Sequence, residues 1–138
     1  MTKPPLTVRM YMTAQPHSIG ANQTMDTAHA LMRRHHFRHL PVLTGGRLVG
    51  ILSDRDLNLM EALADTDPKN VRVDDAMTTV TYAVSPETPL QEVVSNMAQH
   101  KYGCAVVMEK DKLMGIFTTV DACRAFAEVL SKEDAERT

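Results

Sequence analysis

Two stretches place a hydroxyl three residues ahead of a carboxylate just after an apolar run: GILSDRD, with Ser53 and Asp56, and GIFTTVD, with Thr118 and Asp121. Two chemistries fit this spacing. In a capping box the hydroxyl accepts from a free backbone N–H of the first helical turn while the acid reaches back to the cap N–H. The same junction, a strand end running into a helix N-terminus, leaves N–H groups and a positive dipole end suited to phosphate. A neighbouring carboxylate there can accept bonds from both hydroxyls of a ribose. Capping makes no demand on the glycine three residues before each hydroxyl, Gly50 and Gly115, whereas close approach of a bulky group to the backbone would.

A third stretch, RRHHFRHLPV from Arg33 to Val42, holds three of the six histidines and three arginines. A helix continuing through His39 would put His35 and His39 on one face, the beginning of a transition-metal site. Pro41 instead makes Leu40 extended and the LPVL run reads as a strand, so the two histidines are expected on different elements. No compact four-ligand pattern accompanies them and no metal site is expected. Cys104 and Cys123 lie in separate apolar patterns and read as small buried thiols. The chain has no GxxxxGK[ST], HExxH or GxSxG, which points to binding without catalysis.

The elements that must position these residues are written twice. At an offset of 65 residues nine of the 45 positions from Met12 to Asp56 are identical, among them Met12-Thr13 with Met77-Thr78, Met32 with Met97, His35 with His100, and Gly50-Ile51 with Gly115-Ile116. Local signals recur in the same order. In the second copy VTYAVS is a short apolar strand, and Thr88-Pro89-Leu90-Gln91 predicts an N-cap, a proline at the first helical position and a capping-box partner. Leu90, Val93, Val94 and Met97 then form one helical stripe, as do Met25, Ala28, Leu31 and Met32 in the first copy, where Gln23 is the poorer cap. HLPVL and RLVGIL, joined by TGG, and CAVVM and KLMGIF, joined by EKD, predict a hairpin in each copy. A second helix follows each, carrying Leu57, Leu59, Met60 and Leu63 in one and Ala122, Ala125, Phe126, Val129 and Leu130 in the other. The unit is strand, helix, strand, strand, helix, an α+β arrangement whose sheet is too small to stand alone and pairs with its copy. Polar ADTDPKNV, Ala64 to Val71, marks the handover, and KEDAERT is expected to be a frayed tail.

Composition narrows the function classes. Among 138 residues 43% are apolar, with three Tyr, three Phe and no Trp, so aliphatics and ten Met fill the core. The net charge of -2 offers no general attraction to nucleic acid, and the basic run is not repeated in the second copy. No apolar run approaches the roughly eighteen residues of a membrane span and MTKPPLTVRMYM has no signal-peptide core, so no membrane role and a cytoplasmic location are expected.

Gly-Ile-x-(Ser/Thr)-x-x-Asp at the end of each third strand, MT near the start of each copy and HLPV on the second strand together resemble the CBS domain family, as a tandem pair running from about Val8 to Leu130. The resemblance implies repeats at 8–65 and 71–130, flanked by an N-terminal segment 1–7 and a polar tail 131–138. They would pack through their small sheets with pseudo-two-fold symmetry. It further implies clefts that bind an adenine nucleotide (AMP, ADP or ATP) as a regulatory ligand, or in some members S-adenosylmethionine or a dinucleotide. By family position Asp56 and Asp121 hold the ribose, Ser53 and Thr118 lie beside the ribose-phosphate, Ile19 and Val84 help enclose the base, and the backbone of Leu40 and Pro41 reads the adenine edge. Arg38 and Arg55 are the candidates for phosphate. Gly103, Val106 and Val120 stand where the first copy has Arg38, Pro41 and Arg55, leaving Lys101 as the nearest basic residue, so unequal sites are expected. Met25, Met32, Leu90 and Met97 read first as core; some members dimerise through flanking helices into a disc of four repeats, a use that Met-rich helices also fit, so a homodimer is expected. A separate, unknown downstream protein would receive the signal. A ligand-independent structural oligomerisation module is the alternative.

Overall fold

Gly50 and Gly115 are each covered by a methionine and a backbone carbonyl, and this contact organises everything around them. The structure is a computed structural model that describes residues 4–63, 67–79 and 82–137. In chain order the elements are a 3₁₀ turn Val8–Met10, β1 (Thr13–Ala14), β2 (Ile19–Gly20), α1 (Met25–His35), β3 (His39–Thr44), β4 (Arg47–Ser53), α2 (Asp54–Glu61), a 3₁₀ turn Pro68–Asn70, α3 (Val73–Ala76), β5 (Ala83–Val84), α4 (Leu90–His100), β6 (Cys104–Glu109), β7 (Lys112–Thr118) and α5 (Thr119–Glu136). Strand, helix, strand, strand, helix therefore occurs twice, as an α+β fold with small mixed sheets.

The chain folds into two compact units. One comprises residues 16–81; the other joins residues 1–15 to 82–138. In the first, β2 runs parallel to β3 and β3 antiparallel to β4. In the second the sheet order is β1-β7-β6-β5. Each unit is completed by the segment that leads the other repeat. Thr13 pairs with Ile116 on β7, and Thr78 forms an isolated bridge with Ile51 on β4.

This exchange also starts the helices, and it corrects the expected caps. Neither Thr88 nor Gln23 is an N-cap. The cap residues are Pro89 and Thr24, and neither makes a side-chain capping bond. The first helical N–H groups find backbone acceptors in the exchanged segments: Met25 N donates to Val71 O at 2.9 Å and Leu90 N to Leu6 O at 2.8 Å. In return Val73 N donates to Gln23 O at 2.8 Å and Val8 N to Thr88 O at 3.0 Å. Thr88 Oγ1 instead accepts from Ser85 N at 3.1 Å. Part of the expected N-terminal segment, residues 4–7, thus belongs to the packed unit, while residues 1–3 lie outside the described residues.

Both first helices end at a residue in the left-handed region, His36 (φ 58°) and Lys101 (φ 59°), so the chain turns sharply into β3 and β6. The hairpins turn through Gly45–Gly46 and Lys110–Asp111, all with positive φ, the geometry of a two-residue hairpin matched to strand twist. Met25, Met32, Leu90 and Met97 are buried in the two cores with Leu40, Val42 and Leu52 or Ala105, Val107 and Phe117. That placement removes the Met-rich helix faces as a dimer surface. Leu57 and Ala125 anchor the second helices, whereas Leu59, Phe126, Val129 and Leu130 are exposed and Leu63 lies beyond the end of α2. The expected frayed tail is helical as far as Glu136, laced on its exposed face by Lys132–Glu128 and Arg137–Glu133 pairs at helical spacing; Thr138 lies outside the described residues. In the handover, Ala64–Thr66 lie outside the described residues, as do Val80 and Thr81 at the start of the expected strand VTYAVS, of which β5 is the described part.

A Cβ on Gly50 would lie 2.6 Å from Met77 Sδ and 2.8 Å from Thr78 O; on Gly115 it would lie 2.6 Å from Met12 Sδ and 2.8 Å from Thr13 O. The glycine is therefore required by the chain's own Met-Thr segment, and no ligand need be invoked for it. Gly50→Ala and Gly115→Ala are each expected to destabilise by about 1–3 kcal/mol through overpacking, read as a fall of roughly 3–10 °C in thermal midpoint. Adding Met77→Ala to Gly50→Ala should restore only part of the loss, because the carbonyl of Thr78 remains in place.

Candidate functional site

Hairpin register brings the expected residues to one end of each unit's sheet. His39 lies opposite Ser53, Leu40 opposite Leu52 and Pro41 opposite Ile51; Cys104, Ala105 and Val106 occupy the same places opposite Thr118, Phe117 and Ile116. Ile19 pairs with Val42 and Val84 with Val107, which sets each first strand against the same hairpin. Ile19, Leu40 and Pro41 are buried, Val84 is half-buried, and Arg38 and Arg55 are exposed. Arg38 is held at the junction by its backbone, whose carbonyl accepts from Asp54 N at 2.8 Å.

Both acids form capping boxes. Asp56 Oδ2 accepts from Ser53 N at 2.9 Å, and Asp56 N donates to Ser53 Oγ at 3.1 Å. Asp121 Oδ2 accepts from Thr118 N at 2.9 Å, and Asp121 N donates to Thr118 Oγ1 at 3.4 Å. Beyond this shared frame the acids differ. Asp121 is 4% exposed and takes three more donors: Thr118 Oγ1 at 3.1 Å, Thr13 Oγ1 at 3.5 Å and Arg124 Nη1 at 3.3 Å. Among the described residues no donor reaches Asp56 Oδ1, and the Ser53 hydroxyl proton has no acceptor. Lys101 is not the nearest basic residue to the second acid; Arg124 is bonded to it. A cation one helical turn beyond an acid is legible in sequence. Thr13 was not, because the exchange of leading segments that delivers it is a tertiary event.

The edge beside Pro41 differs as well. Val106 N donates to Tyr82 O at 2.8 Å; Pro41 has no N–H, so the matching bond to His17 cannot form. An aromatic trio closes this edge in both units. His17 stacks on His35 with centroids 4.2 Å apart and lies 5.1 Å from Phe37, while Tyr102 stacks on Tyr82 at 5.0 Å and on His100 at 5.1 Å. His35 thus serves as a packing ring at the end of α1, away from His39 on β3. Among the described residues no group of three or more His, Cys, Asp and Glu is arranged to hold a metal ion. A cavity of about 230 Å³ lies elsewhere, between α1 and α2, lined by His29, Met32, Arg33, Phe37, Asp54, Leu57 and Asn58.

Burial raises the Cys104 thiol to about 11, which keeps it protonated at neutral pH. At the equivalent position burial lowers the His39 imidazole below its ordinary value of 6.5, Arg38 acting in the same direction and Asp54 and Asp56 against it.

The comparisons with known proteins converge on this architecture. The CBS domain model matches residues 1–59 and 73–128. The chain belongs to the CBS domain family. It is a CBS pair of the non-catalytic, regulatory kind. The crystal structure of a putative acetoin utilization protein, AcuB, from Vibrio cholerae superposes with a TM-score of 0.85 at 29% identity, covering 96% of this chain and 98% of that one. CBSX2, solved in complex with AMP, gives 0.75 at 28% identity over 89% and 97%. Hypoxic Response Protein I, solved with two coordinated zinc ions, gives 0.75 at 28% identity over 86% and 98%. Hypoxic response protein 1 of Mycobacterium tuberculosis is 29% identical over 123 residues, 88% of this chain and 86% of its own length. Among the described residues no helix of this CBS pair is long and apolar enough to cross a membrane.

The depressed His39 value has a consequence for stability. Protonation favours the unfolded chain, where the imidazole titrates normally, so the stabilising contribution is complete above pH 6.5 and is lost as pH falls through the lower folded value. Between pH 7.5 and 5.5 the wild type should therefore lose more thermal midpoint than His39→Gln, measured by circular dichroism melts at both pH values.

Proposed function

We propose that this CBS pair is a cytoplasmic regulatory module that binds an adenine nucleotide, AMP, ADP or ATP, and signals to a separate protein through a change in conformation or oligomeric state. The observation that carries this reading is Asp56, a half-buried carboxylate fixed by the Ser53 N–H through one oxygen while the other has no partner among the described residues. That oxygen is suited to a ribose diol. The Ser53 hydroxyl at the positive dipole end of α2 would face the first phosphate, the exposed Arg38 and Arg55 would reach further phosphates, and Ile19 with the backbone of Leu40 and Pro41 would border the base. Val84, Thr118 and Asp121 form the corresponding site in the other unit, where the acid is already saturated. The AMP bound by CBSX2 supports an adenosine ligand for a relative of this similarity. Signalling requires only that the ligand favour one of two arrangements.

Calorimetric titration with AMP, ADP and ATP tests the reading. The wild type should bind at least one of them, Asp56→Ala should weaken binding tenfold or more, equivalent to about 1.4 kcal/mol, and Asp121→Ala should cost much less. Equal losses would remove the inequality of the sites, and no binding of any of the three would remove the nucleotide reading. Thermal midpoints must be measured on the same samples, since both acids cap helices and such caps are worth about 1 kcal/mol.

We further propose a homodimer, carried by the exposed Phe126, Val129 and Leu130 of α5. Burial of these side chains at a two-fold interface would remove apolar surface from water. Light scattering should give twice the chain mass of 15.3 kDa, and Phe126→Asp should shift the particle toward the monomer; a wild type that stays monomeric at all concentrations, with and without nucleotide, refutes it.

A further inference from the structure

We infer that Arg124 controls access to the second site by holding the carboxylate that a ribose would need. The inference rests on the reading of Asp56 and Asp121 as ribose acceptors. A carboxylate offers about four acceptor positions. At Asp121 all are taken: Oδ2 by Thr118 N at 2.9 Å and Thr118 Oγ1 at 3.1 Å, Oδ1 by Arg124 Nη1 at 3.3 Å and Thr13 Oγ1 at 3.5 Å. A diol can bind only by displacing the two donors on Oδ1, and the displaced guanidinium leaves a carboxylate only 5% exposed. Charge-assisted bonds to so buried an acid are worth more than exposed ones.

Among the described residues the first unit has no such holder. Leu59 stands three residues beyond Asp56, as Arg124 stands three beyond Asp121, and Leu59 is 65% exposed. Beside the Thr13 and Thr118 hydroxyl bonds to Asp121, the charged difference between the two acids lies in this one helical position, and both of its occupants can be changed without touching a core. Arg124, with a side chain 69% exposed, makes no contribution to burial that Leu would lack. The two positions make a reciprocal exchange, Arg124→Leu to open the second site and Leu59→Arg to close the first.

Adenosine and AMP are the probes, because adenosine carries the ribose without the phosphate. In an Asp56→Ala background, where only the second site remains, adding Arg124→Leu should raise affinity for adenosine and for AMP alike by about tenfold. In an Asp121→Ala background, adding Leu59→Arg should lower both by a similar factor. Thermal midpoints on the same samples confirm folding, and Arg124→Gln gives a second neutral variant with a polar side chain. If Arg124→Leu weakens AMP and leaves adenosine unchanged, Arg124 is a phosphate ligand and the inference falls. It falls also if both affinities stay the same, while the nucleotide reading stands through first-site binding. If neither probe binds the wild type or any variant, the nucleotide reading itself fails and takes this inference with it.

Discussion

The structure depends on one steric fit, a Met-Thr segment seated on a glycine. Backbone approaches to within bonding distance on both sides of the bridge, with Ile51 N to Thr78 O at 3.0 Å and Thr78 N to Ile51 O at 2.9 Å. Only a residue without a Cβ permits this. From that seat the rest follows in sequence: the exchanged segment supplies the first acceptor of α1 or α4, the helix orients its buried stripe over the hairpin, and the hairpin ends where the capping box begins. The acid is placed by the last step of a chain of contacts whose first member is the glycine.

On the proposed reading, capping and ligand binding are different uses of one geometry. The same carboxylate that closes the first turn of α2 through Oδ2 has no partner on Oδ1 among the described residues, and it stands at the helix end that favours an anion. On that reading, stability and recognition share Ser53 and Asp56, so a change at either residue acts on both. At Thr118 and Asp121 the balance lies further toward stability, since the chain itself provides the donors that a ligand would otherwise bring.

Much of this was legible in the residues because it is local. The repeat, the hairpins, the capping boxes and the separation of His35 from His39 all follow from signals within a few positions of one another. What escaped was non-local. Thr88 reads as an N-cap on local grounds, yet Leu6, more than eighty positions away, provides the acceptor that starts α4. Gly50 suggests a bulky neighbour, but its identity as Met77 depends on which segment reaches it. Leu59 and Phe126 sit at plausible core positions of their helices, whereas the faces turned to the cores carry Leu57 and Met60 in α2 and Ala122 and Ala125 in α5. Arg124 is legible locally, one helical turn beyond Asp121, whereas the basic run before β3 is conspicuous by residue type alone.

The exchange of leading segments bears on how such a fold can come into being. A single repeat carries the glycine but not the segment that covers it, and carries a segment whose glycine is elsewhere. Two separate copies of one repeat could satisfy both needs only by trading those segments, which is the arrangement of a strand-swapped dimer. Joining them in one polypeptide removes the concentration dependence of that trade and allows the copies to drift apart. Leu59 and Arg124 are the kind of divergence that a symmetric dimer of identical chains could never hold, and that a covalent pair can.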